Sequence, residues 1–511
     1  MSQSRTSLSL KNSTVALGFY FVNLALQFYS RRIFLDVLGT DILGLNTTAT
    51  SLLQFLNLAE LGIGSAVGVT LYKPILKKNY CTINEIVSLQ GWLYRRIAIF
   101  IIIGSFVLMG FFPIIFAKSG LPLWYAYASY AVLLFSALLG YFVNYKQIVL
   151  SASQQEFYIR YTYNASLIVK VIAQVLALKL FSNGYVWWLV LEIIFATIAS
   201  SSLSYIIKKK CPFLNASSNK GHQFKEKYPE IITKVKQMFF HKASRYALTQ
   251  TSPLIIYAYA SLTLVAVYGN YMLIITGLTA LLSAVFDGIN AGVGNLVAEG
   301  NKQRINAVFR ELFTSRFVIV SSFSFSLFYV ASPFISLWIG EQYLLDNLSL
   351  LLLVIIFFLN TSRTIVDSFI SAYGLFRDIW APIVEASINV GFSILLGSIW
   401  GLPGILTGVA LSLLCIVFIW KPFFLFTYAL KTPVRIYVQI YLKHLIVFTL
   451  SAILVSFIIY VAKMDEGVSI TRFLILTVTS SCSMLIIQGI MLYTCEIGMQ
   501  SFVKRILKIF K

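Results

Sequence analysis

Charge is scarce in this chain. Only 12% of its 511 residues are Asp, Glu, Lys or Arg, against about a quarter in a soluble domain. So few ionised side chains cannot cover a water-facing surface. Hydrophobic residues fill 58% of the positions, and mean hydropathy is +0.82. Lipid tails accept an apolar exterior that water would not, so a soluble enzyme is excluded. Cysteine is sparse as well: Cys81, Cys211, Cys415, Cys482 and Cys495 show neither CxxC nor metal-ligand spacing. His222, His241 and His444 are scattered beside basic residues. No metal centre, cofactor or catalytic residue is therefore expected. The N-terminus lacks a signal-peptide cleavage pattern, so the first apolar run is expected to persist.

Long apolar runs are what the chain has in abundance. A span needs about 20 mostly apolar residues. Such runs occupy 15–37, 42–71, 97–117, 123–150, 162–181 and 185–207. After a Lys-rich stretch at 208–242 they resume at 246–267, 271–298, 312–339, 348–373, 379–399, 402–428, 437–462 and 470–496. The expected fold is an all-α integral membrane protein of about 14 transmembrane helices, with tight turns at Gly184, Gly269 and Gly401.

Positive charge tests that map, because cytoplasmic loops collect Lys and Arg. With the N-terminus inside, about 32 of the 40 basic residues fall in the two tails and alternate loops. Arg31, Arg32, Lys118, Lys179, Lys463 and Arg472 fall on the other side, and Lys170 and Arg363 lie within spans. Both termini are therefore expected in the cytoplasm. The same asymmetry absorbs the net charge of +21: groups such as Lys208-Lys209-Lys210 and Lys504-Arg505 sit at the depth of anionic lipid headgroups. Membrane lipids, and no nucleic acid, are the partners implied. Every outer loop is about ten residues or fewer, too short for the external domain of a membrane glycosyltransferase or glycan polymerase. The chain is expected not to be an enzyme.

Within the Lys-rich stretch, Ile231, Ile232, Val235, Met238 and Phe239 share one helical face, the pattern of an amphipathic helix on the inner leaflet. The halves also echo each other. Gly64-Ser-Ala-Val-Gly68 follows Glu60, and Asn290-Ala-Gly-Val-Gly294 follows Asp287; Ile83-Asn84 and Ile305-Asn306 come next in each case, roughly 225 residues apart. The expected organisation is an N-lobe at 1–207, a cytoplasmic linker at 208–245, a C-lobe at 246–428, and two extra helices with a basic tail at 429–511. This makes two six-helix lobes as parallel pseudo-repeats plus two C-terminal helices, with the substrate path between the halves.

Two stretches carry a family resemblance. One is Arg32-Ile-Phe-Leu-Asp-Val-Leu-Gly-Thr-Asp-Ile-Leu-Gly-Leu45 with Leu58-Ala-Glu-Leu-Gly-Ile-Gly-Ser-Ala66 and Leu71-Tyr-Lys-Pro74. The other is His241-Lys242 leading to Val267-Tyr-Gly-Asn-Tyr271. They resemble the polysaccharide-transporter family of lipid-linked oligosaccharide flippases, which handle O-antigen and capsule repeat units within the multidrug/oligosaccharidyl-lipid/polysaccharide exporter superfamily. The resemblance implies alternating-access movement of undecaprenyl-pyrophosphate-linked repeat units across the bacterial cell inner membrane, for surface polysaccharide biosynthesis. It implies a lipid-linked oligosaccharide as substrate, proton or sodium coupling, and glycan polymerase machinery as a protein partner. Relatives often carry an acid early in the seventh helix, where this chain reads Thr251-Ser-Pro253. The rival readings are an ion-coupled small-molecule or multidrug antiporter of the same superfamily, which usually has twelve spans, a membrane-embedded glycan polymerase, and a non-transporting scaffold.

Ionisable residues in a bilayer are costly and become candidate functional groups. Arg31, Arg32, Lys170 and Arg363 are the cationic candidates for holding a pyrophosphate. The rival roles are headgroup snorkelling for the arginine pair and a structural salt bridge for Arg363, which has Asp367 four residues on. Lys170 shows no obvious local partner. Glu60, Asp287, Asp367 and Glu385 are the candidate coupling or cavity acids. Gly62, Gly64 and Gly68 read as packing or bending points.

Overall fold

The computed structural model describes residues 5–60, 62–153, 155–375, 377–378, 380–462 and 469–509. It describes their side chains except at 5–14, 16–17, 58–59, 65, 236–250, 284–292, 295, 298, 506 and 508–509. Among the described residues all regular structure is helical. The chain divides into two compact units, Met1–Ala266 and Val267–Lys511.

Unit 1 comprises α1 (Arg5–Leu56), α2 (Ile63–Leu76), α3 (Tyr80–Gly110), α4 (Trp124–Phe142), α5 (Glu156–Leu180), α6 (Gly184–Lys210) and α7 (Pro229–Tyr259). Gly39, at φ +80° and ψ 178°, interrupts α1 between the first two apolar runs. That conformation is open to glycine and strained for other residues. Two helical stretches meet there at a kink. Before the kink, Asn23 bonds Asn164 of α5 at 2.6 Å and Phe34 packs edge-on against Trp188 of α6. After it, Asn46 accepts from Tyr185 of α6 at 3.0 Å.

Two expectations need correction here. The second apolar run is not one helix: Asn57–Glu60 tightens into a 3-10 turn, and Gly62 at φ +105° breaks the chain before α2. The turn expected at Gly269 falls instead at Ala260–Ser261, and Gly269 lies inside α8 (Leu262–Glu299). The reason is local. The Ser261 hydroxyl accepts the Leu264 amide at 3.2 Å, satisfying a donor left free at a helix start. Gly44 also lies so close that a β-carbon on it would overlap the Leu262 carbonyl.

The expected amphipathic helix and the seventh apolar run form the single helix α7, with Met238 and Phe239 outside the described side chains. Ahead of it, residues 211–228 are an ordered strap clasped to α3. The Phe213 carbonyl accepts from Asn84 at 2.9 Å, the Asn215 amide donates to Asn84 at 2.6 Å, and the Ser217 amide donates to Ser88 at 3.0 Å. Lys227 reaches Glu85 at 2.7 Å, and the Tyr228 hydroxyl donates to the same carboxylate. Burial, then the bond to Glu85, pushes the Tyr228 hydroxyl up to about 12. Gly221 lies against α3, where a β-carbon would overlap the Ser88 carbonyl.

Unit 2 continues α8 and adds α9 (Lys302–Trp338), α10 (Asn347–Ser362), α11 (Thr364–Ala372), α12 (Trp380–Trp400) and α13 (Leu402–Ser412). The last runs on through π-helical Leu413–Trp420 and then Lys421–Leu425 and Phe426–Leu430. α14 (Val434–Val461), α15 (Ile470–Cys495) and α16 (Ile497–Ile509) complete the unit. α9 forms its centre, packing against α10, α15 and α16. Its buried Ser321 and Ser324 satisfy their hydroxyls on carbonyls one turn back, and Ser321 also meets Gln488 of α15 at 2.9 Å. α12 and α13 approach closest at Gly404 and Gly408, where β-carbons would overlap the Leu396 carbonyl and the Ser393 amide. Small residues allow this proximity without cost in a membrane interior.

Among the described residues eleven helices are long and apolar enough to cross a membrane. They are α3 to α6, α8 over Leu262–Ser283, α9, α10 with α11, α12, Leu402–Leu430, α14 and α15. The chain is a multi-pass membrane protein. The remaining apolar runs of the sequence, 15–37, 42–71 and 246–267, fall mainly on α1, α2 and α7.

Candidate functional site

Arg363 stands at the joint between α10 and α11, its side chain 12% exposed. Its Nε donates to Asp367 at 2.9 Å and its Nη1 to Glu385 of α12 at 3.5 Å. One guanidinium thus serves two carboxylates, 26% and 4% exposed. A planar fork with five N–H donors can address both partners at once in a fixed geometry. Beside it lies a cleft lined by Phe313, Phe317, Phe418, Tyr437 and Tyr441, with Arg363 in its wall. The cleft is small, about 20 Å³, and its guanidinium is already engaged by two carboxylates.

Arg316 of α9 is a second intramembrane arginine, 1% exposed. Its Nε and Nη2 both donate to the Thr361 carbonyl, at 3.2 and 3.0 Å. That carbonyl lies in the last turn of α10, where acceptors lack intrahelical donors. Arg316 lies inside the apolar run 312–339 and is buried within the protein.

In unit 1, Lys170 has a partner on the facing helix. Its Nζ lies 2.8 Å from Glu192 of α6, while Gln174 donates to the other Glu192 oxygen and to the Trp188 carbonyl, each at 3.1 Å. The pair is neutral overall, and its polar atoms are satisfied within the α5–α6 hairpin. Glu60 accepts from Tyr94 at 3.0 Å and from Tyr141 at 2.8 Å. Two phenols replace water for a carboxylate at the break between α1 and α2. Arg31 is half-buried, and Arg32 is exposed, 4.0 Å from Asp36; an exposed pair of that kind contributes little. Asp287 lies outside the described side chains. The structure therefore gathers Arg363, Asp367 and Glu385 in unit 2. In unit 1, Lys170 and Glu60 are held by separate sets of partners.

No family model matches the chain, and no characterised protein matches it by sequence. Solved structures do. The lipid II flippase MurJ in an inward closed conformation superposes with a TM-score of 0.67 at 14% identity, over 94% of this chain and 99% of that one. An inward-facing multidrug resistance MATE family transporter of the MOP superfamily gives 0.62 at 14% identity, over 82% of this chain and 99% of that one. The bent form of the Vibrio cholerae MATE transporter VcmN gives 0.51 at 13% identity, over 83% and 98%. The chain has the membrane-transporter fold these proteins share.

Proposed function

We propose that this chain is a flippase that moves undecaprenyl-pyrophosphate-linked oligosaccharide repeat units across the bacterial inner membrane by alternating access, for surface polysaccharide biosynthesis. The observation that carries this reading is coverage. The likeness to the lipid II flippase extends over 94% of the chain, whereas the likeness to the multidrug transporter covers 82%. The difference is roughly 60 residues, enough for two spans of about 20 residues with their connections, which favours fourteen spans over a twelve-span antiporter.

In this reading the lobes are 1–207 and 246–428, joined by 208–245 and followed by 429–511. Arg31, Arg32, Lys170 and Arg363 are the groups that hold the pyrophosphate. An ion pair at about 4 Å contributes at most ~4 kcal/mol at an effective dielectric near 20. That is enough to hold a headgroup without trapping it. Lys170 and Arg363 already hold carboxylates, so binding there is an exchange of counter-ions, and the released acid is free to take a proton or sodium ion. Glu60, Asp287, Asp367 and Glu385 are the candidate coupling acids. Glycan polymerase machinery is the expected recipient on the outer side.

Deleting the gene is the test. Lipid-linked repeat units should accumulate on the cytoplasmic leaflet while the surface polymer disappears. Unchanged surface glycan together with raised drug susceptibility would instead establish the antiporter.

Orientation has its own test. Cysteines replacing Lys118 and Asn347, both exposed, should react with an impermeant thiol reagent added to intact cells. A cysteine replacing Gln223, exposed on the strap, should react only after the cells are opened. Labelling of Gln223→Cys in intact cells reverses the topology.

A further inference from the structure

The apolar run 42–71 is interrupted past its middle. Asn57–Glu60 forms a 3-10 turn, and Gly62 at φ +105° precedes the start of α2. A broken span places polar groups where lipid cannot satisfy them, and such breaks hold ions in membrane transporters. Two further helices close on this one. Tyr94 of α3 donates to one Glu60 oxygen at 3.0 Å, and Tyr141 of α4 donates to the other at 2.8 Å. Their rings meet edge to face, with centroids 5.6 Å apart. The Tyr141 hydroxyl also lies 3.2 Å from Asn57 Oδ1. A hydroxyl carries one proton, so it cannot serve both oxygens fully. Gln90 lies one turn before Tyr94 on α3, and therefore on the same face. It is 2% exposed, and its Oε1 has no hydrogen-bond partner among the described residues. The first turn of α2 closes the remaining side, where a β-carbon on Gly64 would stand 3.4 Å from the Tyr94 hydroxyl.

What this cluster lacks is a basic residue. Every other described carboxylate that is buried or half-buried has a Lys or Arg partner within 3.5 Å. Glu60, half-buried, has two neutral phenols instead. Their hydrogen bonds spread its charge without cancelling it, and an uncompensated charge withdrawn from water is costly. The chemistry of the surrounding atoms narrows the complement. Carboxylate and amide oxygens are hard donors, suited to hard cations rather than to metals that prefer nitrogen or sulfur. One carboxylate balances one positive charge, and the neutral amide oxygens of Asn57 and Gln90 extend the shell without adding to it.

We infer that Glu60, Asn57 and Gln90 form a sodium site at the break between α1 and α2, with Glu60 as its charged ligand. Asn57 and Glu60 come from the break and Gln90 from α3, so the ion ties the broken span to its neighbour. This singles out Glu60 among the candidate coupling acids, since Asp367 and Glu385 already share Arg363. The use of the site in transport rests on the flippase reading; the binding of sodium does not.

The test uses the full chain purified in detergent, with sodium chloride replacing potassium chloride at constant ionic strength and pH. The parent's melting temperature should rise with sodium and saturate, because an ion bound only by the folded state stabilises it. Glu60→Gln should bind sodium about tenfold more weakly or worse. Gln90→Met keeps the length of the side chain and removes its amide oxygen, and should weaken binding about three- to tenfold. Asp41→Asn removes the same charge at an exposed position bonded to Thr263, and should respond to sodium as the parent does. Equal stabilisation of the parent and Glu60→Gln overturns the site. So does a parent that melts alike in both salts. If sodium has no effect and the gap between parent and Glu60→Gln changes with pH instead, the counter-charge is a proton and the sodium site falls. Gln90→Met carries the comparison if Glu60→Gln does not fold. Sodium binding that follows Glu60, in a protein whose gene deletion leaves surface glycan unchanged, would keep the site and remove the flippase reading.

Discussion

Replacing Arg363 with Gln is expected to destabilise the protein by about 3–5 kcal/mol, the range for removing one partner of a buried ion pair. The size follows from Glu385, whose side chain is 4% exposed and has Arg363 as its ion-pair partner. Asp367, 26% exposed, keeps some access to its surroundings. Neutralising Asp367 alongside Arg363 should therefore rescue only part of the loss. Adding Glu385→Gln as a third change should restore most of it, because no uncompensated charge is then left. Arg363→Lys should fall between, keeping the charge but bonding one carboxylate well rather than two. Thermal unfolding of the purified variants, with protein abundance in the membrane, reads all four. If Arg363→Gln accumulates normally and melts normally but exports no surface glycan, the residue acts on substrate and its structural role is minor. Normal stability and normal export together would remove Arg363 from both roles.

A comparable effect, about 2–3 kcal/mol, is expected from Glu496→Gln. Glu496 is fully buried at the joint between α15 and α16, where it accepts from Arg310 of α9 and lies 3.4 Å from Lys443 of α14. Lys443 also donates to the Cys495 carbonyl. A second clasp follows along α16, where Arg505 meets the buried Glu311 at 2.9 Å. Between them Gly498 leaves no room for a β-carbon against the Arg310 carbonyl and Thr314. Loss of the Glu496 charge should free α16, seen as faster tryptic cleavage at Lys504 and Arg505. Burial opposes ionisation of Glu496, but Arg310, His444 and Lys443 outweigh it and hold its carboxyl below the ordinary value of 4.5. A carboxyl depressed on folding contributes stability above its unfolded pKa and loses it as pH falls through the folded value. The melting-temperature gap between the parent and Glu496→Gln should thus be constant near neutrality and close below about pH 4.5. A gap that widens on acidification would reverse the assigned sign.

What could be read from sequence was mostly what is local along the chain. Apolar runs marked the spans because lipid selects for length and hydropathy residue by residue. Arg363 with Asp367 was legible because a helix puts residues four apart on one face. Glu385 and Glu192 escaped as partners because each pairs across a helix hairpin, 22 residues from its cation. The break at Gly62 was hidden within continuous hydropathy, since a run of apolar residues does not record where the backbone turns left-handed. The turn at Ala260–Ser261 was missed because Gly269 looked like the better breaker. A serine cap and the close fit at Gly44 decided it, and the latter depends on a residue more than 200 positions away. Basic residues near α16 were read as headgroup anchors, yet Arg505 is committed to a protein carboxylate.

The strap also sets an order of events during synthesis. Asn84, Glu85 and Ser88 of α3 wait for partners at 213, 215, 217, 227 and 228, some 129 to 143 residues downstream. At a translation rate of about 5–20 residues per second, the delay lasts roughly 7–30 seconds. Throughout that interval α4, α5 and α6 emerge while the first turns of α3 still display their polar side chains to the interface. Those turns become a finished part of unit 1 only when residue 228 leaves the ribosome. A ribosome stalled before that point would hold a nascent chain with its early hairpins made and its α3 clasp open, the stage at which a quality-control protease would find it most easily.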